Sequence, residues 1–241
     1  MHPLAKTFLD QYGCFSPHPL LGWVSDSRED TQIAVRFLEK ISDWSPLFQI
    51  EFLAKVIAWR SLQVGDFIPF EEGYHVDRIF SLAPHFPAFG LQGKNSSILL
   101  FRGTDLRWKG RASMLSDLDL RGPGYHLYQK NRAELRAWLQ GRQAWATGFS
   151  LGGALTTHAA LFDHDLLSPD LPSIAFNSPG LYRGAKKKFT AASRLVHYIN
   201  AGDPISKVGT LMGEVRTITF PRKLRPIEAH VTPMFCLIDN Q

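Results

Sequence analysis

The segment Ala144-Trp145-Ala146-Thr147-Gly148-Phe149-Ser150-Leu151-Gly152-Gly153-Ala154-Leu155 constrains the chain more than any other. An apolar run of strand character passes through one serine between glycines into small and apolar residues of helix character. A strand that becomes a helix over one residue forces that residue into a backbone conformation that L-amino acids avoid. Side chains two positions to either side would then collide, so Gly148 and Gly152 read as steric requirements of the G-x-S-x-G turn. The plain alternative is a glycine-rich turn with no chemistry attached.

The rest of the chain supplies the surroundings such a turn needs. Helices are expected at Glu29–Ile41, where Ile33, Phe37 and Ile41 share one face, and at Ser45–Leu62, with Ser45 as N-cap, Pro46 at the first helical position and Gly65 beyond the end. After Gly65 short β-like segments follow at Tyr74–Leu82, Phe86–Leu91 and Ser97–Phe101, with a turn at Gly93-Lys94-Asn95. Helix and strand then alternate. Helices are expected at Tyr128–Gln140 and Leu151–Phe162, and strands at Gln143–Thr147, Ser173–Phe176, Leu195–Asn200 and Val215–Phe220. This order predicts an α/β fold with a largely parallel central sheet flanked by helices and a helical N-terminal region. At 241 residues and 44% apolar composition, one domain is expected, with a mainly helical part over 1–65 and the core over 66–241.

In such sheets, sites gather beyond the carboxyl ends of strands. Arg102-Gly103-Thr104, Gly148-Phe149-Ser150 and Ala201-Gly202-Asp203 all fall at such ends. A serine hydroxyl needs a histidine to take its proton and an acid to hold that histidine, and in α/β-hydrolases the chain order is serine, acid, histidine. Of the histidines after Ser150, His158 and His164 are in or just beyond the next helix, and His197 lies in a strand ahead of the best acid. His230 is therefore the candidate base, in an irregular segment after the last strand. Asp203 is the candidate acid, ahead of Asp163, Asp165 and Asp170 in the polar stretch after the helix; Asp239 follows His230 and breaks the order. Leu151, through its N–H, and Thr104 are the candidate oxyanion donors.

Charge is uneven. Residues 181–225 carry ten basic side chains against Asp203 and Glu214, a local +8 in a chain of net charge +5. An acidic partner surface such as anionic lipid is one reading and a solvated basic face the other; a nucleic-acid partner is not expected. The cysteines, Cys14 and Cys236, lack metal-ligand spacing, so no metal or cofactor is expected. The N-terminal MHPLAKTFLDQYGCF has no basic start followed by a long apolar stretch, and no apolar run approaches a membrane span. A cytoplasmic protein is the expectation, with non-standard secretion left open.

Phe101-Arg102-Gly103-Thr104-Asp105, Thr147 to Leu155, Asn200-Ala201-Gly202-Asp203-Pro204 and His230 together resemble the class 3 lipases, α/β-hydrolases of the fungal triacylglycerol lipase type. Asp105 and Trp108 are similar to a bacterial lipase-like subgroup. The resemblance covers residues 97–230 and implies a triad of Ser150, Asp203 and His230, with Thr104 and Leu151 as the oxyanion hole. Three features depart from the family pattern. Phe149 stands where the family usually has histidine, Asp203 and His230 are only 27 positions apart, and Tyr125-His126-Leu127-Tyr128 loosely matches His-x-Gly-Phe. By the same resemblance Leu106 to Leu120 corresponds to a lid or to a loop packed on the sheet. The implied activity is hydrolysis of acyl-lipid esters through an acyl-enzyme. The alternatives are a small-ester or thioester hydrolase, or a lipid-binding module without turnover.

Overall fold

The computed structural model describes residues 27–84, 86–104, 122–182 and 194–234. Asp105, Trp108, the expected lid at 106–120, part of the basic stretch, both cysteines and Asp239 lie outside these residues. Among the described residues eight strands form one mixed sheet whose spatial order equals their chain order: β1 Phe67–Ile68, β2 Tyr74–Ala83, β3 Phe86–Gln92, β4 Ser97–Phe101, β5 Ala144–Phe149, β6 Ser173–Phe176, β7 Leu195–Asn200 and β8 Glu214–Ile218. β1 to β4 pair antiparallel. From β4 to β8 every pairing is parallel.

Among the described residues the helices are α1 Arg28–Lys40, α2 Pro46–Lys55, α3 Tyr125–Leu139, α4 Leu151–Phe162 and α5 Pro226–Val231. Parallel crossovers are right-handed, and here the sheet grows in one direction, so α3 (between β4 and β5) and α4 (between β5 and β6) land on the same face. They bury Tyr128, Leu135, Leu139, Leu155 and Ala159 against Phe80, Leu99, Phe101, Ala144 and Ala146. The opposite face is covered by α1, α2 and a 3₁₀ turn at Ile57–Trp59, which set Leu38, Ile41, Phe52 and Leu53 against Ile98, Leu100, Trp145, Phe149, Ile174 and Phe176. Alternation along each strand sends its side chains to the two faces in turn: Ile98 and Leu100 meet the N-terminal helices, Leu99 and Phe101 meet α3 and α4. Each large apolar side chain fully buried in this way contributes about 1.5–3 kcal/mol.

Two local expectations change. The helix expected over Ser45–Leu62 stops at Lys55, because Val56 leaves helical geometry at φ −125° and ψ −59°. The tighter turn that follows brings Trp59 to Phe149, with ring centroids 6.5 Å apart. The segment around His230, expected to be irregular, is the short helix α5. Pro226 starts that helix, and Glu228 accepts a hydrogen bond from the Arg225 N–H at 2.9 Å. Among the described residues no helix is long and apolar enough to cross a membrane.

Candidate active site

Ser150 joins β5 to α4 in a strained conformation, φ 57° and ψ −123°. Such geometry costs on the order of 1–3 kcal/mol and persists only where the surroundings enforce it. Here its N–H donates to Phe176 O at 3.0 Å, and its carbonyl accepts the Ala154 N–H at 3.1 Å, the first bond of the helix. The flanking glycines leave no room for a side chain. A Cβ on Gly148 would stand 2.5 Å from the carbonyl of Gly152, and one on Gly152 would stand 2.4 Å from Phe101 O. The sharp turn leaves the Ser150 side chain half-buried at the positive end of α4.

His230 Nε2 lies 3.0 Å from Ser150 Oγ, and its Nδ1 lies 3.0 Å from Asp203 Oδ1. An ionised carboxylate only accepts, so Nδ1–H donates to Asp203 and Nε2 is left to accept the serine proton. The Asp203 side chain is fully buried. Burial pushes its pKa up, but hydrogen bonding and charge attraction to His230, with hydrogen bonds from Ser206 and Asn177, outweigh this and hold the carboxyl below the usual aspartate value. Ser206 Oγ donates to Oδ2 at 2.5 Å and the Ile205 N–H to Oδ1 at 2.9 Å. The Gly202-Asp203-Pro204 turn past β7 thus presents an acid whose oxygens are all engaged.

Several contributors were not singled out from sequence. Asn177, first after β6, adopts φ 47° and donates to Asp203 Oδ2 at 3.1 Å and to Ala229 O at 3.2 Å. Asn200, the last residue of β7, donates to Ala229 O at 2.8 Å and Thr232 O at 2.7 Å. Carbonyls near the end of a helix lack intrahelical partners, and these two amides satisfy them for the helix that carries His230. Asn177 falls at a strand end, as Asp203 does, and that position was its available signal. From α2, Glu51 and Lys55 also reach this region.

Phe149, the residue that departs from the family pattern, follows from the alternation in β5. It points to the face of the N-terminal helices, is 3% exposed, and lies with its ring 4.9 Å from that of His230 at an interplanar angle of 33°. It forms an apolar floor beneath the imidazole. The Cβ direction of Gly103 meets Phe149 O at 2.7 Å and Ser150 Cβ at 3.6 Å, so the chain leading into Thr104 runs beside the nucleophile. Leu151 begins α4, where its N–H has no intrahelical acceptor.

Four of the alternative acids and bases are engaged elsewhere. Asp163 is buried among Tyr128, Arg132 and Arg136 on the far face. Asp165 pairs with Arg136. His158 approaches Pro123 O at 2.9 Å and His197 approaches Ser178 Oγ at 2.8 Å. His126 is exposed on α3. Among the described residues no three His, Cys, Asp or Glu side chains gather as a metal site.

No protein-family model matches the sequence, and no curated protein does. Solved structures do match in fold. A fungal lipase crystal structure aligns at 18% identity and TM-score 0.54 over 83% of this chain and 84% of its own. An MDLA mutant from Penicillium cyclopium aligns at 16% and 0.56 over 83% and 84%. A Rhizomucor miehei lipase–propeptide complex aligns at 18% and 0.51 over 71% and 68%. The chain therefore has the α/β-hydrolase fold of the fungal lipases, a mixed sheet of eight strands flanked by helices.

Proposed function

We propose that this chain is a serine hydrolase that cleaves carboxylic esters of acyl lipids, of lipase, phospholipase or lysophospholipase type, through an acyl-enzyme. The observation that carries this reading is the continuous line from Ser150 Oγ through His230 to Asp203 Oδ1, 3.0 Å at each contact, mounted on a strained strand-to-helix turn. Ser150 Oγ attacks the acyl carbonyl while His230 Nε2 takes its proton. Asp203 holds the Nδ1–H and stabilises the imidazolium that forms. The carbonyl oxygen, now negative, is received by the N–H groups of Leu151 and Thr104; loss of one such donor typically costs about 2.7–4 kcal/mol. His230 then protonates the departing alcohol as the ester C–O bond breaks, and water repeats the sequence to free the acid.

For the substrate class, the shared fold with fungal lipases favours acyl lipids. Exposed Lys207, Arg216, Arg222, Lys223 and Arg225, with Ile227 60% exposed on the helix that bears His230, favour an anionic lipid surface. Phe101 to Asp105 and Trp108 support assignment to the bacterial lipase-like subgroup of class 3 lipases. The test is labelling by a fluorophosphonate probe. Modification of Ser150 in the folded parent, absent in Ser150→Ala, is expected, and an unlabelled folded parent refutes the proposal. Short acyl esters and phospholipid vesicles of varied charge then separate substrates; equal rates on neutral and anionic vesicles would remove the electrostatic part.

A further inference from the structure

Behind Asp203 and His230 lies a buried ion pair that the proposed reaction does not use. Glu51 and Lys55 sit one turn apart on α2, both side chains are 0% exposed, and Lys55 Nζ lies 2.8 Å from Glu51 Oε1. Removing two charges from water is so costly that apolar residues of similar volume often serve stability equally well. What apolar residues cannot do is orient polar neighbours. Lys55 Nζ donates to Asn177 Oδ1 at 3.0 Å and to Thr232 O at 3.2 Å. Glu51 Oε1 accepts the Met234 N–H at 2.8 Å. The pair therefore grips Asn177 and two points of the chain just past His230.

An ammonium group has only donors, so Asn177 must turn its oxygen toward Lys55. Its NH₂ is then directed to Asp203 Oδ2 and Ala229 O, at 3.1 and 3.2 Å. The inverted amide would set NH₂ against ammonium and oxygen against both the carboxylate and the Ala229 carbonyl, three repulsive contacts in place of three attractive ones.

We propose that Lys55, with Glu51, is a positioning residue of the site: it fixes the Asn177 amide, and through Asn177, Thr232 and Met234 it holds the Asp203 carboxylate and the helix bearing His230. This rests on the triad reading above. The helical N-terminal region is then a component of the site as well as a cover for the sheet.

Lys55→Met alone would leave the buried Glu51 carboxylate without the Lys55 charge, so the test variant is the double Glu51→Gln/Lys55→Met, which keeps an acceptor for Met234. Asn177→Gly, with the ion pair intact, removes the amide at a position whose φ of 47° glycine accepts. For the full chain, the fluorophosphonate inactivation rate, kcat and KM on a soluble short-chain ester, thermal unfolding and the low-field proton resonance of the His230 Nδ1–H are measured. Misplacement by an ångström typically costs about 10²-fold. Both variants should lose inactivation rate and kcat on that scale at unchanged KM, and both should lose or broaden the resonance. A folded double variant with parental rate and resonance overturns the proposal. If the double variant does not fold, a parental rate and resonance in Asn177→Gly overturns it. Should the parent itself be inert to the probe, the triad reading fails, while the resonance still decides whether the pair positions His230 against Asp203.

Discussion

Replacing Gly152 by alanine tests the turn because its usual effect has the opposite sign. Gly152 lies in the first turn of α4, where alanine would ordinarily gain up to about 1 kcal/mol in helix propensity. In this structure the added Cβ would stand 2.4 Å from Phe101 O and 3.0 Å from Arg102 C, against an ordinary contact of at least 3.4 Å. The shortfall of about 1 Å is against backbone at the end of β4, which is held in ladders with β3 and β5. The strand end and the helix start must part to relieve it. Overpacking of this kind costs about 1–3 kcal/mol, which for a chain of this size lowers the unfolding temperature by about 2–12 °C. Ser150 is two residues away, so the same shift lengthens its 3.0 Å contact with His230 Nε2. Reactivity should fall by about 10²-fold. Thermal unfolding by circular dichroism, paired with the fluorophosphonate labelling rate, reads both effects. An unfolding temperature at or above that of the parent refutes the close approach of α4 to β4. Lost stability with parental labelling refutes its link to the nucleophile.

Ser150→Gly should be inert to the probe yet unfold about 2–4 °C higher, because glycine releases about 1 kcal/mol of the strain at φ 57°; a lower unfolding temperature counts against strain at the turn. Asp203→Asn should lose about 10⁴-fold in kcat, since its NH₂ must face a donor whichever way it turns, either Ser206 and Asn177 or the Ile205 N–H and His230. Because the folded carboxyl is held below its ordinary value, its stabilising effect is full above the unfolded pKa of about 3.9 and is lost as pH falls through the lower folded value. The stability gap between parent and Asp203→Asn should therefore narrow in acid, and a gap that widens there is the contrary result. Burial pushes His197 down from 6.5 to about 4. The unfolded chain thus takes up that proton first, and stability should fall by roughly 3 kcal/mol as pH drops from 6.5 to about 4. Urea unfolding across this range should show the slope in the parent and its absence in His197→Asn; equal slopes would mean that His197 is not buried as a neutral group.

Strand ends and chain order pointed to Ser150, Asp203 and His230, because a strand-to-helix turn advertises its glycines and α/β-hydrolases keep the order serine, acid, histidine; the structure brings these three side chains together. Asn177 stands at an equivalent strand end, but an amide has no proton chemistry and drew no attention. Glu51 and Lys55 were illegible for a different reason. Acid and base four apart on a helix normally read as a solvent-facing pair, and only the third dimension shows that seven consecutive residues of α2, Gln49 to Lys55, are buried. Their burial follows from the sheet. Because β4 to β8 run in sequential order, α3 and α4 fall on one face and the N-terminal helices must cover the other. Phe149 and Trp145 project to that covered side, so their position in β5, with no accompanying signal in α2, decided where the helix would dock. Once docked, α2 touches the sheet on one side and the chain after His230 on the other. Polar groups on that second side must find partners among Asn177, Thr232 and Met234 or remain unsatisfied in the interior. The covering of the sheet and the bracing of the site are thus two sides of one helix.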